Sequence, residues 1–211
     1  MAPALIDDVT LLHGVHALVA EDKDLRAVVE RHGPPPLWAR APGFETFVQI
    51  ILEQQVSLAS GAAAYDRLVR AVGRIDPEVL AGTDPAILEG AGLTRQKTRY
   101  LRALGTAVAG GSLDLDGLGR LDDVGVRENL CALPGIGAWT ADVYLLMALR
   151  RPDAWPSADI ALATSMARVK RLSARPAPDE MALLALPWRP WRAVAARILW
   201  HAYLSATLLR G

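Results

Sequence analysis

Residues 133–141 read Leu-Pro-Gly-Ile-Gly-Ala-Trp-Thr-Ala, a stretch that predicts a tight hairpin between two helices. Pro134 ends the preceding helix, and the glycines permit a sharp turn with positive φ. Leu133 and Ile136 are expected to anchor this turn in the core. A helix that begins at Ala138 would expose amide groups that attract an anion such as a phosphate. An ordinary connection between two helices is the alternative, because Pro-Gly loops are common.

An acidic residue, Asp159, follows the second glycine of the hairpin after 22 residues. Pro156 and Ser157 precede it, so it is expected just inside the start of a helix. There a carboxylate complements the helix dipole, an effect of about 0.3–1 kcal/mol. The same group could instead stabilise a positive charge or deprotonate a water molecule. Glu53 is the alternative acid, and a solvated or structural role is expected for it.

The composition of the 211 residues indicates a folded chain, because 52% of them are hydrophobic. No apolar run approaches the roughly 18 residues that a membrane span requires. The N-terminal sequence lacks the pattern of a signal peptide, and we therefore expect a cytoplasmic protein. Cys131 is the single cysteine, which excludes an internal disulfide and a four-cysteine cluster.

The formal charge does not favour nucleic acid as a partner, because 23 basic residues balance 23 acidic ones. It does not exclude nucleic acid either, since basic side chains can gather on one face of the protein.

Apolar residues at helical spacing recur along almost the whole chain, and no set of strands with a two-residue period is evident. The sequence therefore predicts an all-α protein that forms one unit over residues 1–211, with residues 1–36 as an N-terminal helical segment. Ser57 and Thr94 are the expected N-caps of two helices. The predicted helices cover residues 57–71, 94–109, 122–132, 138–149, 157–172, 179–184 and 188–208, after helical segments around 11–19 and 44–52.

The chain resembles the helix-hairpin-helix (HhH-GPD) DNA glycosylases, in particular the bacterial 3-methyladenine DNA glycosylase II (AlkA-like) branch. The resemblance extends over residues 37–205 and rests on separated motifs at residues 51–57, 92–101, 133–141, 156–160 and 188–192. It implies two helical lobes with an active-site cleft between them. It also implies that the N-terminal β-domain of some members is absent, because the residues before the shared core have a helical pattern.

The resemblance assigns Asp159 as the catalytic acid that supports loss of a base from DNA. Bifunctional members place a lysine nucleophile at the hairpin position that is Trp139 here, and an indole cannot form a Schiff base. We therefore expect a monofunctional enzyme that excises 3-methyladenine and 7-methylguanine from double-stranded DNA and leaves an abasic site. The lone Cys131 argues against the iron–sulfur cluster of endonuclease III-type relatives, and no cofactor is expected.

Aromatic residues of the base pocket are the next expectation from the resemblance. Trp139 and Trp200 match pocket positions of the branch, and Tyr144 could add a third ring. Cationic alkylated purines would gain from such faces by cation–π attraction. Core packing is the alternative for each tryptophan. The pocket is expected to be less aromatic than in the best-known relative, where tyrosines stand at the places of Val143, Ile160 and His201.

The resemblance also assigns the residues that contact the DNA strand. Gln55, beside Gln54, matches the wedge that fills the gap left by a flipped base. A monovalent cation, Na⁺ or K⁺, could bind at hairpin carbonyls. A monomer is the simplest expectation. The hairpin contacts to the DNA backbone are assigned to Leu133, Pro134, Gly135, Ile136, Gly137 and Thr140, and the cation-binding carbonyls to Cys131, Leu133 and Ile136.

Two other functions remain open from the sequence. The first is excision of a different lesion, such as a deaminated or oxidised base, which the changed pocket positions allow. The second is a hairpin protein that binds damaged DNA without excising anything. The carboxylate of Asp159 counts against that second function, because a binding protein has no need of an acid beside phosphates.

Overall fold

The computed structural model describes residues 5–208, and within them every regular element is a helix. This confirms the all-α prediction. Residues 1–4, the start of the N-terminal sequence without a signal pattern, lie outside the described part. The α-helices are α1 Asp8–Glu21, α2 Lys23–His32, α3 Phe44–Glu53, α4 Leu58–Val72, α5 Pro77–Gly82, α6 Pro85–Gly90, α7 Arg95–Ala109, α8 Asp123–Cys131, α9 Ala138–Met147, α10 Ile160–Val169, α11 Pro178–Leu184 and α12 Arg192–Leu208.

The helices gather into two compact units, as expected of a two-lobed fold. The continuous unit extends from Arg40 to Tyr144 and contains α3 to α8 with the first part of α9. The discontinuous unit combines the described residues up to Ala39 with those from Leu145 onward. It contains α1, α2, the end of α9 and α10 to α12. The boundary therefore falls inside helix α9.

Side-chain caps fix most of the helix starts. The predicted N-caps Ser57 and Thr94 are confirmed, since each hydroxyl accepts an amide three residues on. Two short helices, α5 and α6, were not predicted. Each has an Asp N-cap followed by a proline, Asp76-Pro77 and Asp84-Pro85, and this pair is itself a signal for a helix start.

The predicted bounds of two late helices are wrong. The helix predicted over 157–172 is α10, Ile160–Val169, because the carboxylate of Asp159 accepts the amide of Leu162 and makes Asp159 the N-cap. The helix predicted over 188–208 is two elements, a 3₁₀ turn at Leu186–Trp188 and then α12 from Arg192. Pro190 lies between them, and proline has no amide to continue a helix.

A buried arginine ties α12 to the rest of the discontinuous unit. Arg197 is fully buried, and its guanidinium donates to the carbonyls of Leu37 (2.7 Å), Ala193 (3.0 Å) and Leu146 (2.9 Å). Burial lowers the pKa of Arg197 to about 10. A buried charge is tolerated when its donors are satisfied, and these three bonds hold three chain segments together.

A second polar network in the discontinuous unit centres on Asp22, which is also the N-cap of α2. Its carboxylate accepts from the Lys170 ammonium at 2.6 Å and from the Trp188 indole at 2.8 Å. Burial alone would raise the pKa of Asp22, but the hydrogen bonds from Lys170 and Trp188 outweigh it. That pKa therefore lies below its ordinary value of 3.8.

None of the helices in residues 5–208 combines the length and the apolar composition that a membrane crossing requires.

The Asp22 network yields a prediction for stability and its pH dependence. The Asp22→Asn change keeps a helix cap but removes the ion pair, so we expect the free energy of unfolding to fall by about 2–3 kcal/mol at pH 7. A carboxyl with a depressed pKa stabilises the fold above its unfolded pKa, and this contribution is lost as the pH falls through the folded pKa. Urea unfolding at several pH values should thus show the difference between wild type and variant shrinking below about pH 4.

The matched control is Asp179→Asn, since Asp179 also lies in the first turn of a helix but is exposed. We expect that change to alter stability by less than about 0.5 kcal/mol. Equal losses in the two variants would contradict the assigned role of the Asp22 network.

Candidate functional site

The hairpin turn of the continuous unit depends on Gly135. Its φ is +85°, in the region that favours glycine, and a Cβ added there would lie 2.1 Å from Cγ of Tyr100. Ile136 is 3% exposed, which confirms it as an anchor of the turn, whereas Leu133 is only half-buried. The ring of Tyr100 on α7 therefore closes one side of the turn, and no larger residue fits at position 135.

Gly137 differs from Gly135 in both respects. The sequence predicts that the glycines permit positive φ in the turn; Gly135 adopts it, whereas Gly137 does not. A Cβ added at Gly137 would meet no atom within 4 Å. Its carbonyl accepts the amide of Ala141 at 3.1 Å and so opens helix α9. Neither the backbone nor the packing of the described residues requires a glycine here, and the open space beside it can admit a ligand.

The side chain of Gln54 holds the hairpin against the end of α3. Its amide nitrogen donates to the carbonyl of Gly135 and to the hydroxyl of Thr140, both at 2.9 Å. Thr140 is 2% exposed. Because the side chain of Gln54 makes these hydrogen bonds within the protein, it supports the hairpin.

Gln55 has the opposite character. It is exposed, and its φ of +59° turns the chain sharply after the end of α3. Val56 and Leu58 on the same turn are 47% and 58% exposed. Of the two residues predicted for the wedge, Gln55 is the one whose side chain is available to insert into DNA.

Lys97 supports the same turn, a contact that sequence reasoning missed. Its ammonium donates to the carbonyl of Leu52 at 2.6 Å, near the C-terminal end of α3. Burial lowers the pKa of Lys97. Lys97 lies in the motif at residues 92–101, but its partner lies 45 residues away along the chain.

Glu53 has a structural role, as expected. Both of its carboxylate oxygens accept from the Arg40 guanidinium, at 2.9 and 3.0 Å. Its Cγ also lies where a Cβ on Gly61 of α4 would have to go, which fixes its place beside that helix.

The carboxylate of Asp159 lies in the discontinuous unit, at the N-cap of α10. It is 9% exposed, and its Oδ1 accepts the amide of Leu162 at 2.8 Å. The same oxygen accepts the indole N–H of Trp200 on α12 at 3.2 Å. An acidic group with hydrogen-bond donors aimed at it in a largely water-excluded place can act electrostatically on a cation.

The three residues predicted for the base pocket have different surroundings. Trp200 is 9% exposed and uses its indole N–H on Asp159. Trp139 in α9 is half-buried. Tyr144 is fully buried: its ring stacks on Phe47 with centroids 3.8 Å apart, and its hydroxyl accepts the amide of Gly43 at 3.0 Å. These contacts of Tyr144 pack the core of the continuous unit.

The three positions that depart from the branch pattern are also different from one another. Val143 is buried, whereas Ile160 beside Asp159 is 67% exposed. His201 packs edge-to-face against Trp38, with ring centroids 6.3 Å apart. Trp38 itself has φ of +48° and lies outside any helix. This aromatic pair was not predicted, because its members are far apart in sequence.

The carbonyls predicted to bind a cation lie at the end of α8 and in the turn that follows it. Backbone carbonyls at a helix C-terminus carry partial negative charge and lack helical partners. The carbonyl of Leu133 already accepts the amide of Ile136 at 3.2 Å, and a carbonyl oxygen has a second lone pair for an ion. The assignment of a monovalent ion to the carbonyls of Cys131, Leu133 and Ile136 stays a prediction. Among the described residues, no group of three His, Cys, Asp or Glu side chains could hold a metal.

The structure thus brings Gln54 together with Gly135 and Thr140, and Asp159 together with Trp200. A family model described as HhH-GPD superfamily base excision DNA repair protein matches residues 48–190. The chain belongs to this family. The match covers both the hairpin and Asp159, and it confirms the resemblance seen in the sequence.

Two relatives bear names of the branch that the sequence resembles, the 3-methyladenine DNA glycosylases. A putative DNA-3-methyladenine glycosylase, YfjP of Bacillus subtilis, is 28% identical over 186 residues, which are 84% of this chain and 65% of that protein. A DNA-3-methyladenine glycosidase structure from Bacillus halodurans is 28% identical with a TM-score of 0.74 and covers 92% of this chain and 91% of that one. The chain thus spans somewhat less than two thirds of the Bacillus subtilis relative.

The fold is also that of a 3-methyladenine DNA glycosylase (Mag1) from Schizosaccharomyces pombe, solved in complex with abasic DNA. That structure gives a TM-score of 0.79 at 21% identity and covers 89% of this chain and 95% of that one. The likeness confirms the helical HhH-GPD fold.

The two glycines of the hairpin provide a matched pair of variants. We expect Gly135→Ala to lower the free energy of unfolding by about 2–4 kcal/mol, because alanine meets both the positive φ and the Tyr100 ring. Gly137→Ala should change it by less than about 0.5 kcal/mol, because its Cβ has room. Thermal and urea unfolding measure both, and equal stability of the two variants would contradict this description of the turn.

Proposed function

We propose that this protein is a monofunctional DNA glycosylase that excises alkylated purines, such as 3-methyladenine and 7-methylguanine, and leaves an abasic site in base excision repair. The observation that carries the proposal is the buried carboxylate of Asp159, held by the amide of Leu162 and the indole of Trp200, in a chain of the HhH-GPD family. The names of the two Bacillus relatives support the substrate class.

The chemistry proposed for Asp159 follows from the reaction. When the bond between the sugar and the base breaks, the sugar acquires the positive charge of an oxocarbenium ion. A carboxylate beside that charge stabilises it and can orient or deprotonate the attacking water. Purines alkylated at N3 or N7 are cationic and leave readily, which lowers the demand on the acid.

The hairpin is proposed to bind the DNA backbone. Gly137 stands at the start of α9 with open space in place of a side chain, so a phosphate can approach the first amides of the helix. Gln54 and Tyr100 keep the turn in shape from within the continuous unit. These supports are consistent with a rigid phosphate-binding element.

The wedge is proposed to be Gln55 alone. A flipped base leaves a gap in the duplex, and an inserted side chain prevents its return. Gln55 is exposed on a sharp turn, and its neighbours Val56 and Leu58 offer apolar surface to the stacked bases. Gln54 supports the hairpin instead.

Trp139 is proposed as a face for the flipped base. It is half-buried, so part of its surface is exposed to solvent. Cation–π attraction favours a cationic purine over a neutral one at such a face. An indole in place of a lysine gives no amine nucleophile, so strand cleavage at the abasic site is not expected. The protein is proposed to act as a monomer on double-stranded DNA.

Excision of another lesion is the second candidate function. The observations that favour it are two departures from the branch pattern: an exposed Ile160 next to Asp159 in the sequence, and a His201–Trp38 pair in place of a phenol. Histidine offers hydrogen-bonding nitrogens that an alkylated purine does not need. Deaminated and oxidised bases carry extra carbonyl oxygens that could use them.

Asp159→Asn separates catalysis from binding. Asparagine keeps an oxygen for the amide of Leu162, so the fold should be retained. We expect release of 3-methyladenine and 7-methylguanine from methylated duplex DNA to fall by at least about 10²-fold. Binding to a duplex with a tetrahydrofuran abasic analogue should persist. The released bases are measured by chromatography, with Glu53→Gln as the control that retains turnover.

Several outcomes would change the assignment. Binding without release by the wild type, on alkylated, deaminated and oxidised duplexes alike, would indicate a non-catalytic binding protein. Release from deaminated or oxidised duplexes alone would favour the second candidate. Strand breaks that appear before alkali treatment would contradict the monofunctional assignment.

Gln55→Gly tests the wedge without straining the turn, because glycine adopts the φ of +59° found there without steric cost. We expect stability to be unchanged or slightly raised, while the excision rate on duplex DNA falls about tenfold. Excision from single-stranded DNA should be nearly unaffected, since no partner base competes for the gap. Arg171→Gly, at another exposed position with positive φ, is the control. Equal losses on duplex and single strands would contradict a wedge role.

A further inference from the structure

Two hydrogen bonds join helices α10 and α12 close to the acid. The first is the bond from the Trp200 indole to Oδ1 of Asp159, at 3.2 Å. The second is a bond from the Ser165 hydroxyl to the carbonyl of Leu199, at 2.6 Å. Leu199 directly precedes Trp200 on α12. Both bonds therefore connect α10 to α12, and the two residues of α12 that take part are adjacent in sequence.

The bond made by Ser165 is not the ordinary one for a hydroxyl in a helix. Serine and threonine in helices commonly donate to the carbonyl one turn earlier in the same helix. The adjacent Thr164 does this, with its hydroxyl 2.7 Å from the carbonyl of Ile160. Ser165 is 1% exposed and donates instead to the other helix. Its bond fixes α10 relative to α12, whereas the bond of Thr164 remains inside α10.

A single bond to the indole fixes the position of α12 relative to α10 at one point only, and rotation about that point is left to other contacts to restrict. A second bond further along α10 restricts this rotation, so the indole nitrogen stays opposite the carboxylate. The bonds of Arg197 to Leu37 and Leu146 hold α12 itself within the discontinuous unit. A series of buried hydrogen bonds thus connects α12 to α10 beside Asp159 and to the rest of the discontinuous unit.

We propose that Ser165 is a positioning residue for catalysis, which acts through Leu199 and Trp200 to orient the carboxylate of Asp159. The proposal rests on the proposed function, since it assumes that Asp159 is the catalytic acid. It also gives Trp200 a second role besides any contact with the base, because its N–H holds the acid. A small displacement of a catalytic group costs rate even when substrate binding is preserved.

Ser165→Ala is the direct test, with Thr164→Ala as its matched control on the same helix. We expect Ser165→Ala to lower the single-turnover rate of 3-methyladenine release by about tenfold. Its Kd for a duplex with a tetrahydrofuran abasic analogue should stay within about twofold of wild type, because orientation of the acid does not contribute to that binding. Thr164→Ala should leave both quantities unchanged.

Trp200→Phe is the second variant. It leaves the Ser165 hydroxyl in place, so a folding defect caused by the change at Ser165 would not affect it. Phenylalanine keeps an aromatic ring but has no N–H, so the release rate should fall at least as far as in Ser165→Ala. If Trp200 acts only by stacking on the base, this variant retains the rate of the wild type. The double variant should be little slower than Trp200→Phe alone, because both changes act on one orientation and their effects are not additive.

The positioning proposal is overturned if Ser165→Ala excises at the wild-type rate, if Thr164→Ala loses as much, or if rate and affinity fall together. Its failure is distinguishable from failure of the proposed function. Base release by the wild type and none by Asp159→Asn would uphold the function even where Ser165→Ala is fully active. No release by the wild type would overturn both.

Discussion

The first amides of an α-helix have no partner within the helix, and both the hairpin and the candidate acid lie where that constraint applies. Helix α10 satisfies it internally, because the carboxylate of Asp159 accepts the amide of Leu162. Helix α9 begins at Ala138, directly after Gly137, which has no side chain to accept a hydrogen bond and leaves open space instead. One helix start therefore holds a negative charge of its own, and the other is suited to receive one from outside.

Gln54 and Gln55 follow α3 directly and have the same side chain, but their contacts within the protein differ. Gln54 is bonded to the hairpin, and its loss would leave a carbonyl and a hydroxyl without their donor. Gln55, turned outward by a positive φ, has an exposed side chain. Lys97, which donates to the carbonyl of Leu52, stabilises the end of α3 just before this pair. For the proposed wedge, a rigid support directly behind it lowers the conformational cost of insertion into DNA.

Polar groups in the discontinuous unit also hold α10 and α12 in place, the two helices whose residues donate to Asp159. Arg197 donates to backbone carbonyls, and Ser165 donates to a carbonyl of α12 rather than to one of its own helix. Buried polar groups of this kind add little net stability, but they restrict the packing to one arrangement when all are satisfied. The proposed catalytic role of Asp159 would benefit from such restriction, because the rate would depend on where that carboxylate points.

The sequence by itself determined the local structure: the helical class, the N-caps Ser57 and Thr94, the hairpin at 133–141 and the candidate acid at 159. These features follow from rules that act within a few residues, such as capping and the backbone freedom of glycine at position 135. Only the tertiary structure decided that Gln54 supports while Gln55 projects, that Trp200 donates to Asp159, and that Tyr144 packs on Phe47. Each of these depends on partners 41 to 97 residues distant or on which side of a helix meets the core. Spacing along one chain cannot specify such contacts, because they arise from how separate helices pack.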